Sequence, residues 1–311
     1  MNPQEAPLAG PAGGPVVRTV LGDVPPGGLG VCDAHDHLFL RSPLLPGQEL
    51  ADPVAAGAEL RAFREAGGGA VVQWTPRGMG RRRGELAALA RATGVRLVAA
   101  TGLHQAVHYD PELLGRIRTE LAGLFVEDLT TAPVRAGLIK VAGGFHGLDA
   151  HARWVMAAAA EAHHATGAPV AVHLELGTGA PAVLDVLCGE GEVPPDRVIL
   201  GHPGRSADVR AQLSAARSGA YLAFDGPSRA HHPTDWRLFD SLAALAEAGH
   251  ADRILLGGDT TTAAARAVGG GPGMPYLLST LRPALAAELG EEFAARVFVG
   301  NPARAFAAHW H

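Results

Sequence analysis

The chain has 311 residues, 47% of them hydrophobic and 18% charged, with a net charge of −5. That is enough apolar surface for a large core, and it offers no basic face for nucleic acid. No run reaches the roughly 18 apolar residues that cross a bilayer. Residues 1–15 are rich in Pro, Gly and Ala. They lack the basic and apolar halves of a signal peptide, and read as a flexible segment ahead of one domain over 16–311. Cys32 and Cys188 are the only cysteines, which reads as two reduced thiols in a cytoplasmic protein. Arg81–Arg82–Arg83 is the nearest thing to a basic patch, and reads as a solvated helix start.

Along the chain, short runs rich in Val, Ile and Leu alternate with longer segments of helical period. The pattern predicts strands near 30–35, 69–75, 95–101, 137–142, 169–174, 197–202, 219–225 and 253–258. Helices are predicted near 52–66, 82–93, 111–129, 150–166, 179–189, 206–217, 235–249 and 276–289. Runs such as Arg197-Val-Ile-Leu-Gly201 are apolar on both faces, as a parallel sheet covered on both sides requires. Gly67, Gly94, Gly167 and Gly249 follow predicted helices, where a left-handed cap suits glycine. The expected fold is therefore α/β, a closed (β/α)8 barrel. The glycine fingerprint of an open dinucleotide-binding sheet, the P-loop and the G-x-S-x-G elbow are all absent.

Such a barrel keeps its chemistry at the carboxyl ends of its strands. There the sequence places His35-Asp36-His37, Lys140, His173, His202 and Asp259. Residues i and i+2 of a strand point the same way, so His35 and His37 can meet one ion. Taken singly, a strand-end histidine is more often a satisfied core group, Lys140 could pair with an acid, and Asp259 could cap a helix. Four imidazoles, a lysine and a carboxylate on one rim point instead to bound metal.

These residues also carry a family resemblance. Thr19-Val-Leu-Gly22, the H-x-H within Gly30–Leu38, Thr101-Gly102 and Gly137-Leu-Ile-Lys140 match in order and spacing. So do Thr166-Gly-Ala-Pro-Val170 leading to His173, Gly201-His202, Ala223-Phe-Asp225 and Gly300-Asn-Pro-Ala-Arg304. Together they resemble the phosphotriesterase family of the amidohydrolase superfamily, over nearly the whole chain. The resemblance implies two divalent ions. His35, His37 and Asp259 would hold the more buried one, His173 and His202 the more exposed one. A carboxylated Lys140 would bridge them, supplying an anionic oxygen to each cation. Zinc suits these ligands, and manganese, cobalt or iron would also fit. The implied chemistry is hydrolysis by a bridging hydroxide, with Asp259 as the catalytic proton acceptor. A homodimer and a small-molecule substrate are implied as well.

Departures from the family concern the substrate. Leu103-His104 stands where lactonase-like members place a tyrosine, Arg205 where an Asp is common, and Gly226 where Arg or His is common. Asp36 replaces the usual Glu of the H-x-H and is expected to matter little. His104 reads as a substrate-binding residue or general acid, or else as packing. Arg205 reads as a clamp for an anionic substrate group, or as the partner of Asp208 at i+3 on a helix. His231 and His232 read as loop residues, and the loop from Thr260 to Gly273 as a lid or a plain flexible connection. The favoured function is hydrolysis of a lactone, carboxylic ester or amide, with organophosphate triester hydrolysis as the alternative. A non-catalytic binder on the same barrel is the alternative of another class.

Overall fold

The computed structural model describes residues 13–226 and 233–311. Two short strands come first, β1 (Val16–Thr19) and β2 (Gly22–Val24). Eight more follow: β3 (Cys32–Asp36), β4 (Ala70–Gln73), β5 (Arg96–Thr101), β6 (Leu138–Ala142), β7 (Val170–His173), β8 (Val198–Gly201), β9 (Tyr221–Asp225) and β10 (Ile254–Gly257). These eight lie side by side in chain order, each parallel to the next. Helices fill the crossovers: α1 (Pro53–Glu65), α2 (Arg83–Thr93), α3 (Pro111–Arg116), α4 (Leu121–Thr130), α5 (Ala150–Thr166), α6 (Ala180–Leu184), α7 (Val209–Arg217) and α8 (Leu238–Glu247). Further segments, Gly273–Tyr276 and Arg282–Leu289 among them, complete the ring. The fold is the expected (β/α)8 barrel.

Strand parity divides the core in two. Ala70, Val72, Val98, Ala100, Leu138, Ala171, Ile199, Tyr221, Ala223 and Leu255 pack together inside the barrel. Their alternates, such as Val71, Leu97, Ile139, Val170, Val172 and Leu200, pack against the helices. The inward parity of β6, β7 and β9 continues to Lys140, His173 and Asp225. In β3 the pairing register with β4 slips between Asp33 and Asp36. That irregularity shifts the alternation by one, so His35 and His37, rather than Asp36, turn toward the centre.

The seam between the last and first strands depends on glycine and on two aspartates. A Cβ on Gly257 would lie 2.5 Å from both the amide nitrogen and the carbonyl oxygen of His35. Across the seam, the Asp259 amide donates to the His35 carbonyl at 2.9 Å. The Gly258 amide donates to Asp33 at 3.2 Å and the Thr260 amide to Asp36 at 3.0 Å. Asp36 therefore matters more than its outward parity suggests.

A floor absent from the sequence reading closes the other end. β1 pairs antiparallel with β2 and with β11 (Ala307–Ala308). Val17, Leu29 and Phe306 from this layer join the interior cluster. The helix expected over 111–129 is two, α3 and α4. The one expected from 206 begins at Val209, where Asp208 accepts from the Arg210 and Ala211 amides as N-cap. The loop after β10 is neither plain nor free. Arg266 is buried and donates to the Leu38 carbonyl, and Glu59 accepts the Met274 amide at 2.8 Å. Both cysteines are free thiols. No helix among the described residues is long and apolar enough to cross a membrane. Most of residues 1–15, and all of His231 and His232, lie outside the described residues.

The arginine run is the main correction to the surface reading. Arg82 stays half-exposed beside Glu85, but Arg81 and Arg83 turn inward onto the buried Asp128 of α4, at 2.8 Å each. Arg77 joins them at 2.6 Å, and Thr101 at the end of β5 donates at 2.6 Å. Burial opposes ionisation of Asp128, but Arg81, then Thr101 and Arg77, outweigh it and hold the carboxyl at about 2. One carboxylate thus ties α2, α4 and the ends of β4 and β5 together. Removing it strands buried cations, which costs about 3 kcal/mol. Asp128→Asn is expected to lose about that much in denaturant unfolding at neutral pH. A carboxyl with a lowered pKa stabilises fully above its unfolded value. The gap to the parent should therefore narrow as pH falls from about 4 toward about 2. A gap that persists unchanged in acid would contradict the assignment.

Candidate metal and active site

The strand ends surround a cavity of about 420 Å³ at the carboxyl rim. Its lining includes all six expected metal ligands, His35, His37, Lys140, His173, His202 and Asp259, together with His104 and Arg205. Behind the His35 ring lies a buried indole. Trp74 stacks under the His35 ring, centroids 3.9 Å apart, and donates to the Ala34 carbonyl at 2.8 Å. A side chain at residue 201 would strike that indole, with Cβ 2.9 Å from the ring. Gly201 therefore leaves space for Trp74.

Three donors converge tightly. Asp259 Oδ1 lies 3.5 Å from His35 Nε2 and 3.3 Å from His37 Nε2. Those separations exceed the usual hydrogen-bond range of roughly 2.7–3.2 Å. A second group overlaps the first, with His35, His202 and Asp225 offering atoms within 4.8 Å of one another. Here His35 Nδ1 and Asp225 Oδ1 are buried without a hydrogen bond, 3.4 Å apart. Buried polar atoms are ordinarily satisfied. Imidazole nitrogens and carboxylate oxygens left facing one another fit a divalent ion, and the donor set suits zinc. The other two expected ligands line the cavity without joining either group. The His173 ring lies 4.5 Å from that of His202, and Lys140 is buried beside them.

Hydrogen bonds assign the imidazole nitrogens. His37 Nδ1 lies 2.7 Å from Thr75 Oγ1, and that hydroxyl spends its proton on the Phe39 carbonyl. The imidazole is therefore the donor and Nε2 keeps a lone pair. His202 Nδ1 meets Asp225 Oδ2 at 2.7 Å, with the same consequence. Burial, and then Arg205, drives the His202 imidazolium well below the ordinary histidine range. His37 is lowered too, by burial. These rings are held neutral and oriented, as metal ligands need to be.

Arg205 does not pair with Asp208, which is occupied as the cap of α7. His202 adopts a left-handed backbone, φ 64°, and turns Pro203–Arg205 back over the barrel mouth. The guanidinium then reaches Asp225 at 3.0 Å and also bonds Asp259. Although burial opposes its charge, Asp225 is held well below the usual carboxylate range by His202 and Arg205. Asp259, φ 47°, and Leu176, φ 50°, share the left-handed conformation, and such strain concentrates at functional sites. His104 is fixed through its backbone. Its amide donates to the Tyr109 hydroxyl at 2.7 Å, and its carbonyl meets His151 Nε2 at 2.9 Å. Its Nδ1 accepts the Gln105 amide at 2.8 Å, which leaves the ring proton on Nε2.

Sequence reasoning passed over Trp74, Thr75 and Glu175 and gave Asp225 no role in the site. Glu175 accepts from His173 at 3.0 Å and lies two residues beyond it, the same spacing that had drawn attention to His35 and His37.

Comparisons with known proteins identify the family and the same fold. The model of the phosphotriesterase family matches residues 15–306. A phospho-furanose lactonase of Mycoplasmopsis synoviae is 28% identical over 268 residues, covering 77% of this chain and 74% of the relative. An N-acetyltaurine hydrolase of Danio rerio is 26% identical over 338 residues, covering 93% and 97%. The crystal structure of the lactonase Lmo2620 from Listeria monocytogenes superposes with a TM-score of 0.86 at 26% identity, over 94% of this chain and 98% of that one. The chain belongs to the phosphotriesterase family.

Proposed function

We propose that this chain is a binuclear metal-dependent hydrolase that opens a lactone, carboxylic ester or amide bearing an anionic group. The observation that carries the reading is the approach of His35 Nε2 and His37 Nε2 to Asp259 Oδ1, at 3.5 and 3.3 Å, at the base of an open cavity. His35, His37 and Asp259 would hold the inner ion, His173 and His202 the outer one, and a carboxylated Lys140 would touch both. Zinc is the metal this donor set favours. Bound divalent ions would supply a water acidified toward neutral pH and would polarise the scissile carbonyl.

The chain's own residues do the rest. Burial pushes the Lys140 ammonium down to about 7, with Asp259 opposing and Arg205 adding to the shift. Near neutral pH a large share is then the free amine, the form that adds carbon dioxide. Asp259 takes the proton of the attacking water. Burial drives the His104 imidazolium well below its ordinary range, with Lys140 and His173 adding to the shift. Neutral His104 therefore serves as a hydrogen-bond donor, offering its Nε2 proton to a substrate oxygen. Arg205 lines the cavity and is held by Asp225 and Asp259. Its remaining donors give an anionic substituent a charge-assisted partner. The names of two relatives are consistent with such a handle: a phospho group in one, and taurine, a sulfonate, in the other.

The test is a panel of matched lactones, esters and amides, with and without an anionic substituent, plus phosphotriesters. Parent protein stripped with a chelator should lose its activity and regain it with zinc. Arg205→Ala should lower kcat/KM about tenfold to a hundredfold on anionic substrates, the worth of one charge-assisted hydrogen bond. Neutral analogues should lose less, so that the ratio of anionic to neutral kcat/KM falls. Full activity after stripping would sink the metal reading. An unchanged kcat/KM for Arg205→Ala would sink the clamp, and a preference for phosphotriesters would move the substrate class.

A further inference from the structure

We propose that Glu175 is the positioning residue that selects which nitrogen of His173 faces the cavity; its relevance to catalysis rests on the reading of His173 as a ligand. The hydrogen bonds orient His173 oppositely to its neighbours. His37 and His202 each spend Nδ1 on an oxygen partner, Thr75 and Asp225, and keep Nε2 free. At His173 it is Nε2 that meets Glu175 Oε2, at 3.0 Å. An imidazole that ligates a metal is neutral. A neutral imidazole has one N–H, and an ionised carboxylate can only accept. The proton is therefore on Nε2 and the lone pair on Nδ1.

The surroundings are built to hold that carboxylate in place. Gln105 donates to the same oxygen at 3.0 Å and to the Gly143 carbonyl at 2.9 Å. The loops after β5, β6 and β7 are thereby joined at one point. The next residue, Leu176, takes a left-handed backbone, φ 50° and ψ 29°, while its side chain stays half-exposed. A β-carbon on Gly177 would lie 2.7 Å from the His202 carbonyl oxygen. The strained residue and the glycine fold the turn against the β8 loop, which keeps Glu175 beside His173. No salt bridge from Lys or Arg to Glu175 is formed among the described residues; its partner in ion-pair range is His173. A carboxylate placed only to stabilise the loop would gain more from a permanent cation.

The experiment compares parent, Glu175→Ala and Glu175→Gln by two readouts that need no turnover. The first is zinc affinity, measured by competition with a chelator. The second is the tautomer of His173 in metal-free protein, read from ring 15N shifts. Glu175→Ala should leave the tighter ion unchanged and weaken the second about tenfold to a hundredfold, the usual cost of losing such a partner. His173 should pass from the Nε2–H form to a mixture. Glu175→Gln, whose amide oxygen still accepts, should retain most of both properties and control for a misfolded alanine variant. Unchanged tautomer and unchanged affinities in Glu175→Ala would overturn the proposal. A parent that binds no second ion, while the tautomer still responds to Glu175, would support the positioning role and overturn the ligand reading instead.

Discussion

A side chain on residue 257 would put its Cβ 2.5 Å from the backbone of His35, so the last barrel strand reaches the first only because that residue is glycine. The same seam carries the chemistry. Closure delivers the Asp259 amide to the His35 carbonyl at 2.9 Å, and with it the Asp259 carboxylate to both imidazoles of the H-x-H. Asp33 and Asp36 brace the join from the first strand. Barrel and site are thus one construction. Whatever loosens the seam also separates the inner donors.

Charge is the second constraint. Asp225 and Asp259 lie deep in the rim, and isolated buried carboxylates are costly. Arg205 bonds both, and His202 bonds the first. A cation that sits among candidate ligands sets the local field as well as the local structure. It adds to the lowering of the Lys140 and His202 pKa values and helps hold Asp225 ionised. Arg205 therefore reaches several candidate ligands at once, and so bears on how tightly they would hold metal.

Much of this was legible in the sequence because barrel strands are buried on both faces and leave continuous apolar runs. All six expected ligands lie on the one cavity, since strand parity and strand ends are local properties. What escaped was non-local. The floor pairs Val16 and Val17 with Ala308 and Ala307 through strands too short to announce themselves. Arg81 and Arg83 looked solvated because Asp128 is remote in the chain and only the packing of α4 brings it beneath them. One of the two readings of Arg205 paired it with Asp208 by helical spacing, but the left-handed His202 and Pro203 take it off any helix face. Glu175 has the i+2 spacing from His173, but only the left-handed Leu176 and the close-packed Gly177 fold the turn so that the two meet.

The most direct test of the account is the metal content of protein grown with zinc and bicarbonate, beside Lys140→Ala. The account predicts about two ions per chain, as in a site of two divalent metals, falling sharply in the variant. Less than about one ion per chain in the parent, with the variant unchanged, would contradict a bridged binuclear centre and leave the barrel to be understood as a binder.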